Sequence, residues 1–342
     1  MKIKEYHCAL VLPQLDVQNA NAISGPMTWG FPAMSAFAGF THALQRKVRQ
    51  DGFDVYFDGV AVVCHSAEPQ IASDNPYRPR TFCLTRNPLM ATGGTAAIVE
   101  EGRMHLTVSL VLTVSGPDAP VQTSADAETV ESANPSQPAV QNSTLADIVM
   151  QHALTMRLAG GNIIPPHSSQ RRKKAPCIFL WGATSKVKVQ RRLMRYVMPG
   201  FVLVSQTALL GAHLATMRET IAATTPLDAL LDLCALHSTP INDTIEEGKV
   251  EWVTRRRRPA TGNGKGWLVP IPVGFAAISE VYPPGMAKQT RDPSVPFCFV
   301  ESVLGLGSWQ SPHRCEDLED TLWRFDAQPE KGTYLISNIQ AE

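Results

Sequence analysis

The sequence lacks long apolar runs. No stretch reaches ~18 consecutive apolar residues, the length a membrane-spanning helix requires. The N-terminus, MKIKEYHCALVLP, has neither the apolar core nor the small-residue cleavage site of a secretory signal. Paired cysteines are missing as well. The 7 cysteines are scattered, with no Cys-x-x-Cys and no zinc-ligand spacing against the 9 histidines, which argues for reduced thiols and a cytoplasmic chain. No glycine-rich phosphate loop ends in Lys-Ser/Thr, no dinucleotide fingerprint follows a strand, and no HExxH occurs. Gly93-Gly94 lacks the spacing that cradles a pyrophosphate, and His65 beside Cys64 is explained equally well by a strand end. No cofactor, no metal and no catalytic residue is therefore assigned.

A net charge is also lacking: 31 basic side chains balance 31 acidic ones. The balance hides a polarised distribution. From Ile148 to Arg218 there is no Asp or Glu, whereas Lys and Arg recur throughout, and the acids collect around 118–147 and 219–251. Such a chain can turn one positive surface toward a polyanion. At 44% hydrophobic residues, it has enough apolar material for a core.

The 26 prolines predict many short elements. Residues 7–15 are predicted to be a buried strand, with Pro13 marking an edge or an end. A helix is predicted over 35–50, where Phe37, Phe40, Leu44 and Val48 form one apolar stripe and Arg46, Lys47 and Arg49 lie off it. Strands follow at 55–64 and at 104–114; the alternation and Thr/Val content of the latter fit a half-buried position. A polar excursion, 67–104, lies between them. Residues 115–142 read as a loop insertion, 145–158 as a helix and CIFLW (177–181) as a strand. This order, strand-helix-strand-strand-helix-strand, predicts an α+β chain with a ferredoxin-like or RNA-recognition-like βαββαβ core over 1–200. The remainder, 201–342, is predicted to be a helical segment and C-terminal packing region, with a helix restarting at Thr225-Pro226. The topology of its tail is not assignable from the sequence.

Three features point to a polyanion, and the last of them to splayed bases. On the helix predicted over 186–198, Lys188, Arg191, Arg192 and Arg195 share one side, while Val189, Leu193 and Val197 line another. Runs at 171–174 and 255–258 add unpatterned positive charge, which either wraps a flexible strand or is simply solvated. In the loop 19–31, Asn19, Asn21 and Ser24 supply neutral donors and acceptors beside Trp29 and Phe31, a combination suited to splayed bases. The opposing reading makes Trp29 and Phe31 core residues anchoring the following helix. A nuclease would need convergent carboxylates or a histidine base. Asp54, Asp58, Glu68, Glu100 and Glu101 are the candidates for the first. His42 is the candidate for the second, and it serves equally as a helix-edge residue or a phosphate ligand.

At these segments the chain resembles a known family. LPQLDVQNANAISGPMTWGFPAMSAFAGFTHALQR, LTRNPL, GGTAAIVEEGRMHLTVSL, MRLAGGNIIP, RRLMRYVMPGFVLVS, TTPLDALLDLC, GWLVPIPVGFAAIS and FVESVLGLGSWQSPHR are similar, in this order, to the second subunits of the type I-F CRISPR (Csy) surveillance complex. That family belongs to the repeat-associated RNA-binding superfamily. The resemblance covers nearly the whole chain but not 115–142, 165–176 or 241–265. It implies a ferredoxin-like core with a protruding excursion and a non-catalytic scaffold role. The expected partners are the 5′ handle of the CRISPR RNA, the large Csy subunit and the terminal copy of the repeated backbone subunit, in a complex that finds double-stranded DNA. Arg78, Arg80 and Arg86 on the excursion would then approach the handle or a neighbouring subunit. Two other readings stand beside this one: a pure protein-interaction scaffold, and a CRISPR-repeat endoribonuclease.

Overall fold

The computed structural model describes residues 8–72, 80–83, 85–86, 89–90, 92–95, 98–99, 101–121, 144–171, 174–180, 186–241, 251–256, 266–290, 292–315 and 317–338. For 85, 86, 98, 99 and 186 it describes the backbone alone. Three apolar runs become its longest strands: β1 (Cys8–Asn21), β2 (Tyr56–Pro69) and β3 (Arg103–Ser115). Helix α1 (Met34–Gln50) links the first two, and α2 (Thr144–Thr155) follows β3. Two short strands, β4 (Arg157–Leu158) and β5 (Gly161–Ile164), form a hairpin, and β6 (Cys177–Leu180) comes next. Then come α3 (Lys186–Tyr196), β7 (Phe201–Ser205), α4 (Thr207–Thr220) and α5 (Pro226–Cys234). Strands β8 (Trp267–Ala277), β9 (Val300–Gln310), β10 (Arg324–Gln328) and β11 (Thr333–Ser337) complete the main sheet.

That sheet has 11 strands in the order β4-β5-β1-β3-β2-β7-β9-β8-β11-β10, with β6 pairing β1 beside β5, and the pairings are antiparallel. The architecture is α+β. The sheet runs unbroken from the N-terminal strands into the tail, because β7 joins β2 on one side and β9 on the other.

Both faces of the sheet centre are buried, so the long strands read as nearly continuous apolar runs. Leu10, Leu12, Val60, Val62, Leu110 and Leu112 face α1 and α2. Ala9, Val11, Ala61, Val63 and Val111 face the other way, against Val189, Leu193 and Val197 of α3. The half-buried position predicted for 104–114 holds up to Thr107, where buried and exposed residues alternate, and is corrected from Val108 onward, where both faces are buried. Pro13 marks neither an edge nor an end. It lies inside β1 at a bulge between Leu12 and Leu15, and on one side of the strand it falls between the partners β6 (paired to residues 8–11) and β5 (paired to 16–18). A proline is tolerated there because no ladder bond is asked of it. At the same bulge Gln14 has φ +47°, and its N–H is satisfied by Ser109 Oγ at 2.9 Å.

Helix α1 buries Phe37, Phe40, Leu44 and Val48, as its periodicity predicts. Thr225 caps α5 through a capping box with Asp228, and Pro226 opens the helix. Helix α2 ends at Thr155 rather than 158, because Arg157 and Leu158 enter the β4–β5 hairpin. Trp323 ties the tail to the sheet: it is fully buried against the main core and donates its indole N–H to Leu203 O at 2.9 Å. Among the described residues, no helix is long and apolar enough to cross a membrane.

Candidate nucleic-acid interface

The loop after β1 and the start of α1 frame a polar cleft of about 820 Å3. It begins with the turn of the β4–β5 hairpin. Ala159 and Gly160 both have positive φ (+49° and +78°), the type I′ geometry that matches the twist of a two-residue hairpin. This turn accepts the Asn21 N–H on Ala159 O (2.8 Å), while the next amide, Ala22, donates to Gly102 O (2.8 Å) at the base of the excursion. Three distant segments are thereby stitched together. Asn21, Ser24, Arg103, Arg157, Ser35 and Ala36 all line the resulting cleft.

Its electrostatics favour an anion. Ala33 caps helix α1 without a side-chain bond and the first turn has no acidic residue; the Ala36 amide donates to Ala33 O at 2.9 Å, and the positive dipole end of the helix opens into the cleft. Arg157 is exposed at the rim, without a partner among the described residues. Arg103 is held by an ion pair with Glu101 and donates to Asn19 O at 3.4 Å. Asn19 adopts φ +59°, and its Oδ1 accepts from Gln70 Nε2 at 2.7 Å. The Asn19 carbonyl thus positions one of the two arginines.

The other sequence-predicted residues scatter around this centre. Asn21 spends its side chain on the backbone of Ile23 (2.7 and 3.1 Å), and Ser24 bonds Thr28 within the Ile23–Trp29 hairpin. The aromatic pair divides. Trp29 is exposed, whereas Phe31 is half-buried, stacked on Phe37 and edge-on to Trp309. His42 and Arg46 are exposed on α1, with the His42 ring 6.2 Å from Phe325. On α3, Lys188, Arg191 and Arg195 form an exposed stripe, away from the cleft. Arg192 leaves that stripe: its Nε and Nη2 are buried, and burial lowers its pKa. Of the excursion arginines, Arg80 is exposed, Arg86 lies in the small strand Thr85–Arg86 with only its backbone described, and Arg78 lies outside the described residues.

In the two basic runs, Lys174 is neither mobile nor solvated. It is buried and pairs with Asp16 at 2.5 Å, for which the Asp16 carboxylate between β5 and β3 provides the reason. Arg171, Arg255 and Arg256 are exposed, and Arg172, Lys173, Arg257 and Arg258 lie outside the described residues.

The nuclease candidates do not converge. Asp54 pairs with Arg49, Glu68 accepts from Ser66, Glu101 pairs with Arg103, and Glu100 lies outside the described residues. Asp58 and His42 share only a cavity of about 60 Å3. Among the described residues no group of three or more His, Cys, Asp or Glu is placed to hold a metal. Burial pushes the thiols of Cys64 and Cys177 up to about 11 and that of Cys8 to about 12, so these sulfurs stay protonated.

Arg103 and Arg157 were not singled out by their spacing. The one signal in the sequence is that each falls inside a segment of family resemblance, GGTAAIVEEGRMHLTVSL and MRLAGGNIIP. That resemblance holds on direct comparison. A family model described as CRISPR-associated protein (Cas_Csy2) matches residues 10–336. The CRISPR-associated protein Csy2 of Pseudomonas aeruginosa (strain UCBPP-PA14) is 44% identical over 346 residues, covering 98% of this chain and 97% of that protein. With a match of that length running through the cleft, the sheet and the tail alike, the chain belongs to the CRISPR-associated Csy2 family.

Proposed function

We propose that this chain is a non-catalytic, RNA-holding subunit of a type I-F CRISPR surveillance complex, working in the cytoplasm. With the large Csy subunit it holds the 5′ handle of the CRISPR RNA, it adjoins the terminal copy of the repeated backbone subunit, and it supports recognition of double-stranded target DNA. The observation that carries this reading is the polar cleft, where the exposed Arg157, the uncapped start of α1 and Arg103, beside its ion-pair partner Glu101, meet at one concave site. Phosphates bound there need no sequence-specific group, since amides and guanidiniums serve as the donors. The strand order β5/β6-β1-β3-β2, with α1 and α2 on one face, supports a ferredoxin-like core with insertions over 1–200. We take 201–342 as the packing region appended to it and 67–104 as the protruding excursion.

Co-purification of the chain with the large subunit and a labelled CRISPR RNA, with and without the 5′ handle, tests this reading. A ternary complex that needs the handle is expected. A protein pair that forms equally well without it would favour the second reading, a protein-interaction scaffold. The observation behind that alternative is the α4–α5 pair, where α4 buries none of its residues and Leu227 and Leu231 of α5 are exposed.

A further inference from the structure

His105 stands on β3 where three segments meet: the left-handed turn at Asn19, the end of β2 and the base of the excursion. Its ring is exposed, yet both nitrogens face a polar group. Nδ1 accepts the Asn19 N–H at 3.4 Å, and Nε2 lies 3.1 Å from the Gln70 side-chain nitrogen. Gln70 is itself a junction. Its side chain bonds Asn19 Oδ1, its backbone N–H donates to Arg103 O at 2.8 Å, and its carbonyl accepts the Cys83 N–H at 3.0 Å. The Asn19 carbonyl in turn accepts from Arg103. A line of hydrogen bonds thus runs from the imidazole through Asn19 to a guanidinium of the polar cleft.

The two ring nitrogens are not equivalent. The Gln70 side chain can turn its amide, offering a donor to a ring lone pair or an acceptor to a ring N–H. A backbone N–H only donates. The Asn19 bond therefore needs a lone pair on Nδ1, and an imidazolium has none. The charged groups around His105 offer the protonated ring another partner. Glu68 sits directly opposite it in the β2–β3 ladder, with Ser66 Oγ donating to Glu68 Oε1 at 3.0 Å. Arg103, two residues along β3, is engaged by Glu101. On β1, Asp16 is engaged by Lys174 and Thr107. Glu68 is thus placed to draw a charged ring across the ladder and away from Asn19.

We infer that His105 is a proton-sensitive positioning residue. As a neutral ring it latches the Asn19 turn and, through it, Arg103; as a cation it turns to Glu68 and releases both. The latch is a property of the free chain. Its consequence rests on the RNA-holding reading: a hold on RNA that slackens as the medium acidifies. The sign of that effect is diagnostic. A proton gained near phosphates would by itself tighten binding, so weakening on acidification marks the loss of aim.

The test is amide hydrogen exchange of the full chain without RNA, corrected for the intrinsic pH dependence of exchange. It is run between about pH 8 and about pH 5.5, the interval in which histidines change charge. The segment containing Asn19 is expected to lose severalfold protection at the lower pH. His105→Asn supplies an amide oxygen near the place of Nδ1 and does not titrate, so it is expected to keep its protection throughout. His105→Ala is expected to lack it at both ends. Glu68→Gln is expected to move the transition to lower pH. His65 is present in every variant, so its response cancels in the comparison. The dissociation rate of handle RNA is then expected to rise severalfold on acidification in the wild type and not in His105→Asn. Exchange at Asn19 that ignores pH, or that responds equally in His105→Asn, overturns the latch whether or not RNA binds. A latch that opens while the dissociation rate stays constant overturns its role in aiming Arg103. A chain that binds no RNA at either pH, with exchange still responding, sinks the RNA-holding reading and leaves the latch standing.

Discussion

The polar cleft and helix α3 both carry arginines that reach solvent, and they are built in opposite ways. On α3 the charges follow one another in sequence: Lys188, Arg191 and Arg195 stand on a convex, solvent-facing stripe whose underside packs on the sheet. In the cleft, Arg103 from β3 and Arg157 from β4 are brought together by partners distant in sequence: Arg103 pairs opposite Asn21 in the ladder with β1, β5 carries the hairpin to β1, and backbone bonds at Asn21 and Ala22 tie the hairpin turn to the excursion base. A convex stripe attracts a polyanion at a distance without fixing it. A concave site with positioned donors selects one geometry. Density of charge along the chain is therefore a poor guide to where a phosphate is held.

The largest effect expected from this contrast is in the cleft. Arg103→Glu, Arg157→Glu should weaken binding of a handle RNA by about 100-fold, since hydrogen bonds to charged groups contribute ~1.5–3 kcal/mol each and the reversed charges add repulsion. A titration at fixed moderate salt measures it. A loss of less than severalfold would place the RNA elsewhere. On α3, Lys188→Ala, Arg191→Ala, Arg195→Ala should cost less at that salt, yet it should flatten the salt dependence by up to ~0.7 log units for each phosphate left unneutralised. An unchanged slope would assign the stripe to a protein partner. Arg192 is left out of this set because its guanidinium is partly buried, so removing it disturbs packing as well as charge.

The joint between α3 and the sheet offers a third and smaller effect. Just beyond α3, Pro199 O meets His65 Nδ1 at 2.5 Å, while His65 Nε2 meets Ser109 Oγ at 2.7 Å and Ser109 in turn accepts the Gln14 N–H of the β1 bulge. A neutral imidazole satisfies this chain of bonds, with Nδ1–H donating to Pro199 O and Nε2 accepting from the Ser109 hydroxyl. Desolvation lowers the His65 pKa, the bond to Pro199 raises it in part, and the nearby Lys174 ammonium lowers it further. With the folded pKa below the unfolded value of ~6.5, the unfolded chain binds the extra proton first. Stability is thus full above ~6.5 and is lost as pH falls through the folded pKa, at no more than ~1.4 kcal/mol per pH unit from this one group. Urea midpoints at pH 7.5 and 5 should show the drop, and His65→Gln, which can donate and accept without titrating, should reduce it. An identical drop in the variant would move the cause to another group.

Much of this arrangement was readable in the sequence where order is local. The stripe of α1, the restart at Thr225-Pro226 and the run of β3 depend on neighbours three, four or two residues away. The tail was not readable, and β8 shows why. Pro270, Pro272 and Gly274 make it look like a loop, yet it pairs with β9 along its whole length. The prolines are admitted because β11 begins to pair on the other side only at Gly274, where φ is +144° and a Cβ would collide with Tyr334 O. Which edge of a strand will be empty is decided by a partner far along the chain, here Leu335 opposite Gly274. The same holds for Arg103 and Arg157, and for Lys174, whose place in a basic run gave no hint of Asp16. The loop 19–31 is rich in polar side chains, but part of that polarity shapes the loop itself.

Asn19 brings the smallest expected effect and the finest distinction between the two charged regions. Its left-handed backbone suits Asn or Gly and disfavours a residue with an ordinary Cβ. Its carbonyl accepts from Arg103, and its Oδ1 accepts from Gln70. Asn19→Gly preserves the backbone and so the aim of Arg103, while Asn19→Ala strains the turn by about 1 kcal/mol. If Asn19 works by aiming Arg103, Asn19→Gly should bind handle RNA within about twofold of the wild type, Asn19→Ala should be severalfold weaker, and the stripe variant on α3 should respond to neither change. If the Asn19 amide instead reads a base, Gly and Ala should lose discrimination between handle and unrelated RNA equally. Equal losses on both RNAs, in Ala alone, would confirm that the cleft holds the backbone of the RNA and leaves recognition of its bases to other groups.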